Sequence, residues 1–394
     1  MRLVRYAMRD RSATSGVQQL SGWMRRLAFA PLLVAGVFTL SASPVAAETG
    51  SFTRLNLVSD TPGLAQHTDP NLVNPWGLSR SPTGPWWISD NGTGMASIYA
   101  EGNSVAPAIS IPSPSGGAGA PTGNVFNEAS LFDPQAFAVH KGSLMGSSTF
   151  MFATEDGTIA GWNKSVDASK AILAVDRSTA MDKQGDTGAV YKGVAFGFHA
   201  FQPYIYATNF RFGTVEMFDK HFNLVKSFTD PQMAHNCPTT GQCYAPFGIQ
   251  NIHGLLYVTF ALQNSMKHDD QSGAGNGFVD IFSTNGTLLN RLVAHGDLNS
   301  PWGLALAPRD FGHFSNDLLV GNFGDGTIHA YSAFTGQFEG TLKDQNGNQI
   351  QTDGLWGLAF GNGGMAGKTN ELFFTAGIGG ESHGIFGKIM ENED

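Results

Sequence analysis

A histidine and two aspartates stand side by side in Lys267-His268-Asp269-Asp270, and an acid precedes a second histidine in Glu381-Ser382-His383. Imidazole and carboxylate together form a donor set for transition metals, and carboxylates alone suit Ca2+. If both segments reach one face, His268, Asp269, Asp270, Glu381 and His383 could hold a divalent metal, Ca2+ or a transition ion. One Asp would then orient an imidazole rather than ligate. The same residues would serve equally as a solvated loop or an internal hydrogen-bond network. The glycine run 273–277 that follows leads into a strand rather than a helix, so no helix dipole backs a phosphate and no nucleotide cofactor is expected. No Gly-x-Ser-x-Gly elbow is present for serine hydrolysis.

Polar residues at the ends of short apolar runs form a second set of candidates. Asn74 and Ser300 each precede a Pro-Trp-Gly, while Asp90, Asn209 and Asn322 each close an apolar run. They are candidate ligand-binding residues. Asp156, Asp325 and Asn91 each adjoin a glycine and read as turn residues. Cys237 and Cys243 lie in a loop rich in Pro, Thr and Gly, and in an exported chain they would form a local disulfide.

These residues need a scaffold, and internal repetition supplies one. Pro-Trp-Gly-Leu opens a strand at residue 75 and again at 301, and Leu-Trp-Gly-Leu does so at 355. Aligned on the small residue of that strand, six units fall at Gly77, Ala136, Gly193, Gly248, Gly303 and Gly357, spaced 54 to 59 residues apart. The second unit would begin at Pro134, and residues 111–124, rich in Pro, Ser and Gly, would be a surface loop. Three or four short strands per unit cannot bury both faces alone, so the units must stack. The expected fold class is all-β: a six-bladed β-propeller of four-stranded antiparallel blades. The last unit ends too close to Asp394 for a fourth strand, and an orphan strand near Phe52–Val58 would close that blade. In such a ring the approach to the first strand and the turn between the second and third share one loop-rich face, which gathers the candidates above.

Arg25 and Arg26, the apolar run 27–40 and Ser-Ala-Ser-Pro-Val-Ala-Ala read as a secretory signal over residues 1–47, with Met24 an alternative start. Residues 48–394 would form a single propeller domain, with no stable membrane span after processing. Without the signal, 17 basic side chains face 31 acidic ones, which disfavours nucleic acid and anionic lipid as partners.

Four strings, Asn299–Pro308, Ser315–Gly326, Lys267–Asp280 and Asp353–Gly363, resemble an exported bacterial family similar to NHL-type six-bladed propellers, some members of which end in an exosortase sorting signal. This chain ends in Glu-Asn-Glu-Asp without that anchor, so the resemblance implies a soluble periplasmic or secreted monomer. The family brings a fold but no established reaction; its wider superfamily contains Ca2+-dependent lactonases, amidating lyases and non-catalytic binding modules. The leading expectation is a propeller that binds a small molecule, glycan or protein at the loop-rich face, with a metal as the open question. A metal-dependent hydrolase or lyase acting on a lactone, ester or uronide, and a structural cell-envelope or matrix protein, are the alternatives, and whether the chain is an enzyme stays open.

Overall fold

The computed structural model describes residues 50–235 and 243–392. The signal segment 1–47 and Cys237, and with it the proposed disulfide to Cys243, lie outside the described residues. Six antiparallel sheets form the six blades of a propeller. Their innermost strands are Pro75–Arg80, Pro121–Phe126, Tyr191–His199, Tyr244–Ile252, Pro301–Leu306 and Leu355–Phe360. Each blade continues outward through a second and third strand, for example Asp317–Asn322 and Ile328–Ser332 in blade 5.

Burial follows from this stacking. The second strands Trp86–Asp90, Phe150–Thr154 and Leu372–Ala376 are buried at every position because neighbouring blades cover both faces. Outer strands face water on one side: Leu224–Phe228 is exposed at four of five positions. Six apolar clusters fill the six inter-blade gaps. Trp87 and Ile98 meet Phe152 between blades 1 and 2, and Met151 meets Phe196 between blades 2 and 3. Val215 meets Val258, Tyr257 meets Leu318, and Leu319 meets Leu372 around the next three. Trp86 of blade 1 packs on Phe373 of blade 6 to complete the circle.

Closure occurs as the orphan strand requires. Phe52–Ser59 pairs antiparallel with Ile385–Glu391, from Phe52 opposite Glu391 to Ser59 opposite Ile385. The Ser59 hydroxyl donates to Gly384 O at 2.7 Å. Phe52–Ser59 therefore covers the outer edge of Ile385–Glu391 in the last blade, and its own outer edge pairs in parallel with His67–Thr68 at Val58 and Ser59.

Blade 2 departs from expectation. Its inner strand is Pro121–Phe126, which overlaps the segment 111–124 read as a surface loop, and the small residue at the repeat position is Gly123 rather than Ala136. Residues Ala138–Lys141 instead pair with Leu144–Ser147 in a separate hairpin inserted before the second strand. The apolar run from Ala136 suits either place, but an inner-strand residue at this position must let the next blade approach, and only Gly123 does so.

That requirement is visible all round the axis. A Cβ on Gly77 would lie 2.7 Å from Thr122 O; on Gly123, 2.5 Å from Val194 N; on Gly248, 2.0 Å from Trp302 O; on Gly303, 2.5 Å from Trp356 O; on Gly357, 2.7 Å from Trp76 O. Gly193 meets Phe247 O at 3.1 Å. Six glycines thus form a closed ring in which each inner strand leans on the next, at separations that exclude a side chain in five of six places.

Candidate functional site

The residues before the ring glycines are Trp76, Thr122, Lys192, Phe247, Trp302 and Trp356, and the four aromatic ones cluster together. Trp76 stacks on Trp356 with ring centroids 3.5 Å apart, and Trp302 meets Trp356 edge-on at 5.9 Å. Trp76 of blade 1 also touches Phe247 of blade 4, the blade opposite. Two opposite blades can meet only across the centre, so these rings plug the channel. The indole N–H groups of Trp302 and Trp356 donate to Lys192 O and Asn74 Oδ1, at 3.1 and 3.0 Å. Their recurrence in the repeat therefore reflects axial filling.

Lys192 is the exception at this position. Its side chain is 2% exposed, and its ammonium sits 5.0 Å from the centroid of Trp76 and 5.9 Å from that of Phe210. The ammonium bonds Glu155 and lies 3.4 Å from Asp269 Oδ1. Burial alone would push its pKa down, but the charges of Glu155 and Asp269 outweigh burial and hold it above the ordinary lysine value. The ammonium is thus a fixed positive charge on the propeller axis.

Acids from three loops surround it. Asp269 Oδ1 also meets His268 Nδ1 at 2.7 Å, and this contact, helped by Lys192, lowers the Asp269 pKa to about 2. Asp270 and Glu381 feel the same ammonium, yet burial raises both above the usual carboxylate range. Asn74 Nδ2 donates to Glu381 Oε2 at 2.8 Å, and Asn91 Nδ2 to Glu155 Oε2 at 2.9 Å. Blades 1, 2, 3, 4 and 6 therefore each contribute a polar group to one axial cluster on the loop-rich face.

Among the described residues, Glu155, His268 and Asp269 are the group whose donor atoms could share a metal ion, all lying within 4.8 Å of one another. Two of those three already bond the Lys192 ammonium, so an ion there must displace it or share its carboxylates. His383 is not in that group. Its Nδ1 meets Asp60 Oδ2 at 2.8 Å, and Asp60 Oδ1 also accepts from Gly384 N, which ties His383 to the closing strand.

The five ligand candidates separate in the same way. Asn74 joins the axial cluster. Asn209 is fully buried, with Nδ2 on Glu216 and Oδ1 accepting from Val190 N and Phe212 N. Asn322 is likewise consumed by Asp297 O, Asn299 N and the Asp325 turn. Asp90 is buried beside Ser97, whose hydroxyl donates at 2.6 Å, and desolvation holds its carboxyl well above the usual range. Ser300 is buried with φ +46, at the start of the blade 5 inner strand. Asn209, Asn322 and Asp90 shape the loop-rich face from beneath rather than line it, while the Ser300 side chain lies against Asp270 of the axial cluster.

Sequence reasoning passed over Lys192 and gave Glu155 no special role. The signal was present: at the position before the ring glycine, one unit of six carries a charge.

At the opposite end the six inner strands diverge into a funnel of about 820 Å3, lined by Leu78, Val194, Leu304 and Leu358 among others, with a throat of about 40 Å3 against the glycine ring. The molecule is thus a six-bladed propeller with a funnel of mixed polar and apolar lining on one side of a closed axis and a charged cluster on the other.

Comparison with known proteins places the chain. It is 30% identical over 341 residues to uncharacterized protein R648 of Acanthamoeba polyphaga mimivirus, covering 86% of this chain and 80% of that one. It is 27% identical over 342 residues to uncharacterized protein L690 of the same virus, covering 86% and 85%. The chain belongs to the family of R648. No family profile matches. Among solved structures it is similar to a streptogramin B lyase (TM-score 0.47, 12% identity, 86% of this chain and 97% of that) and a glucose dehydrogenase (0.48, 12%, 87% and 99%).

These relatives correct the expected membership of an exported bacterial family: the matching proteins are viral. The strings that suggested it have a physical explanation. Pro-Trp-Gly-Leu supplies an axial ring and a ring glycine, and Gly-Asp-Gly-Thr supplies a turn in which Asp325 Oδ1 accepts from Thr327 N at 3.0 Å. Such strings mark propeller geometry rather than lineage.

Proposed function

We propose that this propeller is a binding protein whose ligand carries positive charge and docks at the axial cluster of the loop-rich face. One observation carries the reading: Glu155, Asp269, Asp270 and Glu381 surround a single ammonium, so acid exceeds base there even after Lys192 is counted. The accessible edge is formed by Asp269, 57% exposed, and His268, 33% exposed. An amine of a small molecule, an amino sugar or a protein lysine matches this chemistry, as does a divalent cation. Titration calorimetry with spermidine, glucosamine and Ca2+ tests it. Binding that weakens with salt and is lost in the Asp269→Asn, Glu381→Gln double variant is expected. No heat from any of the three at millimolar concentration overturns it.

A second reading, hydrolysis or elimination at a metal, draws support from the 4.8 Å grouping of Glu155, His268 and Asp269. Elemental analysis of the purified protein and of His268→Ala separates the two, since stoichiometric metal lost in the variant favours the metal reading. Export of the domain rests on residues 1–47 and is tested by N-terminal sequencing of the mature chain.

A further inference from the structure

Exposed aromatic rings gather on the funnel side of blades 2 and 3. Phe201 is 95% exposed, Phe132 68% and Leu131 67%. Phe132 stacks on Phe198 at 6.1 Å, and Phe198 meets the buried Phe196 edge-on at 5.1 Å, so the patch continues outward from the core between the two blades. Leu131 and Phe132 lie in the stretch 127–149 inserted after the inner strand of blade 2, and Phe198 and Phe201 in the hairpin that joins the first two strands of blade 3. The hairpin turn is built against local preference. Ala200 and Phe201 have φ of +47 and +62, a pairing that two-residue turns reserve for Asn and Gly. A benzyl side chain is strained there, and at 95% exposure it gains no packing within the domain that would offset the strain.

Three observations say what covers these rings. A ring so exposed at the tip of a turn is a protrusion, and protrusions enter a soft apolar phase, whereas an apolar peptide is received by a groove. The chain that precedes the propeller joins it on the same side. A Cβ on Gly50 would lie 3.3 Å from the Cβ of His313, in the loop between the first two strands of blade 5, and the apolar run 27–40 ends ten residues earlier. Ten extended residues span at most about 35 Å, so whenever that run occupies a bilayer the funnel side is held close to it. Charge then selects the kind of bilayer. Beside the patch, Lys220 is neutralised by Asp133 at 3.0 Å while Glu128 is exposed, which disfavours anionic head groups.

We propose that the funnel side of blades 2 and 3 is a lipid-contact surface, on which Leu131, Phe132, Phe198 and Phe201 enter the head-group layer of a zwitterionic bilayer and hold the domain there reversibly. Bound in this way, the propeller turns its axial acids away from the membrane. The surface is independent of those acids, which lie on the opposite face.

The ring closes within Phe52–Glu391, so residues 48–394 carry the whole fold and can be tested without the apolar run. Flotation with phosphatidylcholine vesicles is the assay. Co-flotation is expected, and the Phe132→Ser, Phe201→Ser double variant should bind at least about tenfold more weakly with a melting temperature no lower than wild type, since both side chains are exposed. Vesicles enriched in phosphatidylserine should bind more weakly than phosphatidylcholine alone. Asp269→Asn should leave flotation intact, which separates this surface from the charged site. Absence of flotation, or equal flotation of the double variant, overturns the lipid surface. A concentration-dependent dimer that the double variant abolishes, without vesicle binding, assigns the patch to a second copy of the chain and overturns it equally.

Discussion

The Lys192 ammonium lies 5.0 Å from the ring centroid of Trp76, two residues that occupy the same repeat position two blades apart. A desolvated contact of this kind contributes about 2 kcal/mol. It also fixes the ammonium between the aromatic plug below and the carboxylates of Glu155 and Asp269 above.

Lys192→Met keeps the packing volume and removes the charge. The carboxylates of Glu155 and Asp269 then lose their counterion, and a loss of about 3 kcal/mol in unfolding free energy is expected. Denaturant titration at pH 7 measures it. Because the folded pKa of Lys192 is raised, its stabilisation is complete below the unfolded lysine value and disappears as pH climbs through the folded one. The wild type should lose stability above about pH 10.4 more steeply than the variant.

Asp269 works at the opposite end of the scale. Its pKa is lowered to about 2 by His268 and Lys192, so it stabilises the fold above the unfolded value, and that contribution disappears as pH falls toward 2. Asp269→Asn should flatten the acid limb of the stability profile between about pH 4 and pH 2. An unchanged limb in a thermal melt series would contradict the assignment.

Asp280 behaves in the reverse sense. It is fully buried, burial pushes its pKa up to about 7, and the charge of Arg291, 3.2 Å away, only partly offsets this. The folded state holds the proton that the unfolded chain has released, so stability should decline as pH rises from about 4 to 7. Asp280→Asn should remove that slope, and melting temperatures at pH 4.5 and 7 should converge.

Gly248→Ala tests the axial ring. Its Cβ would meet Trp302 O at 2.0 Å, backbone that cannot rotate aside, and a cost of at least about 1–3 kcal/mol is expected. Gly117→Ala meets nothing nearer than 3.6 Å and should stay within about 0.5 kcal/mol of wild type. Equal midpoints for the two variants would refute the packing argument.

Phe52→Ala probes closure. Phe52 is 1% exposed and packs on Phe311 and Phe314 at 5.1 and 6.0 Å, so truncation should cost about 3–5 kcal/mol. Hydrogen exchange should then rise first along Phe52–Ser59 and Ile385–Glu391, the pair that shuts the ring.

The sequence determined the propeller, its blade number and its closure, because stacked blades force a local signature on every unit: a glycine at each axial contact, an apolar second strand, a Gly or Asp turn. It also placed His268 and Asp269 on the loop-rich face, since strand alternation fixes which turns share a side. It misplaced the inner strand of blade 2, because the composition of residues 111–124 reads as loop while Gly123 is there for clearance. Only the tertiary structure brought Glu155, Asn74 and Asp269 around Lys192, contacts between blades that no local pattern encodes. It also decided that Asn209 and Asn322 are spent on internal partners, and it opened the funnel, whose wall comes from six strands spread across the whole domain. Local rules specify what each blade is; the radial arrangement alone specifies what meets at the axis.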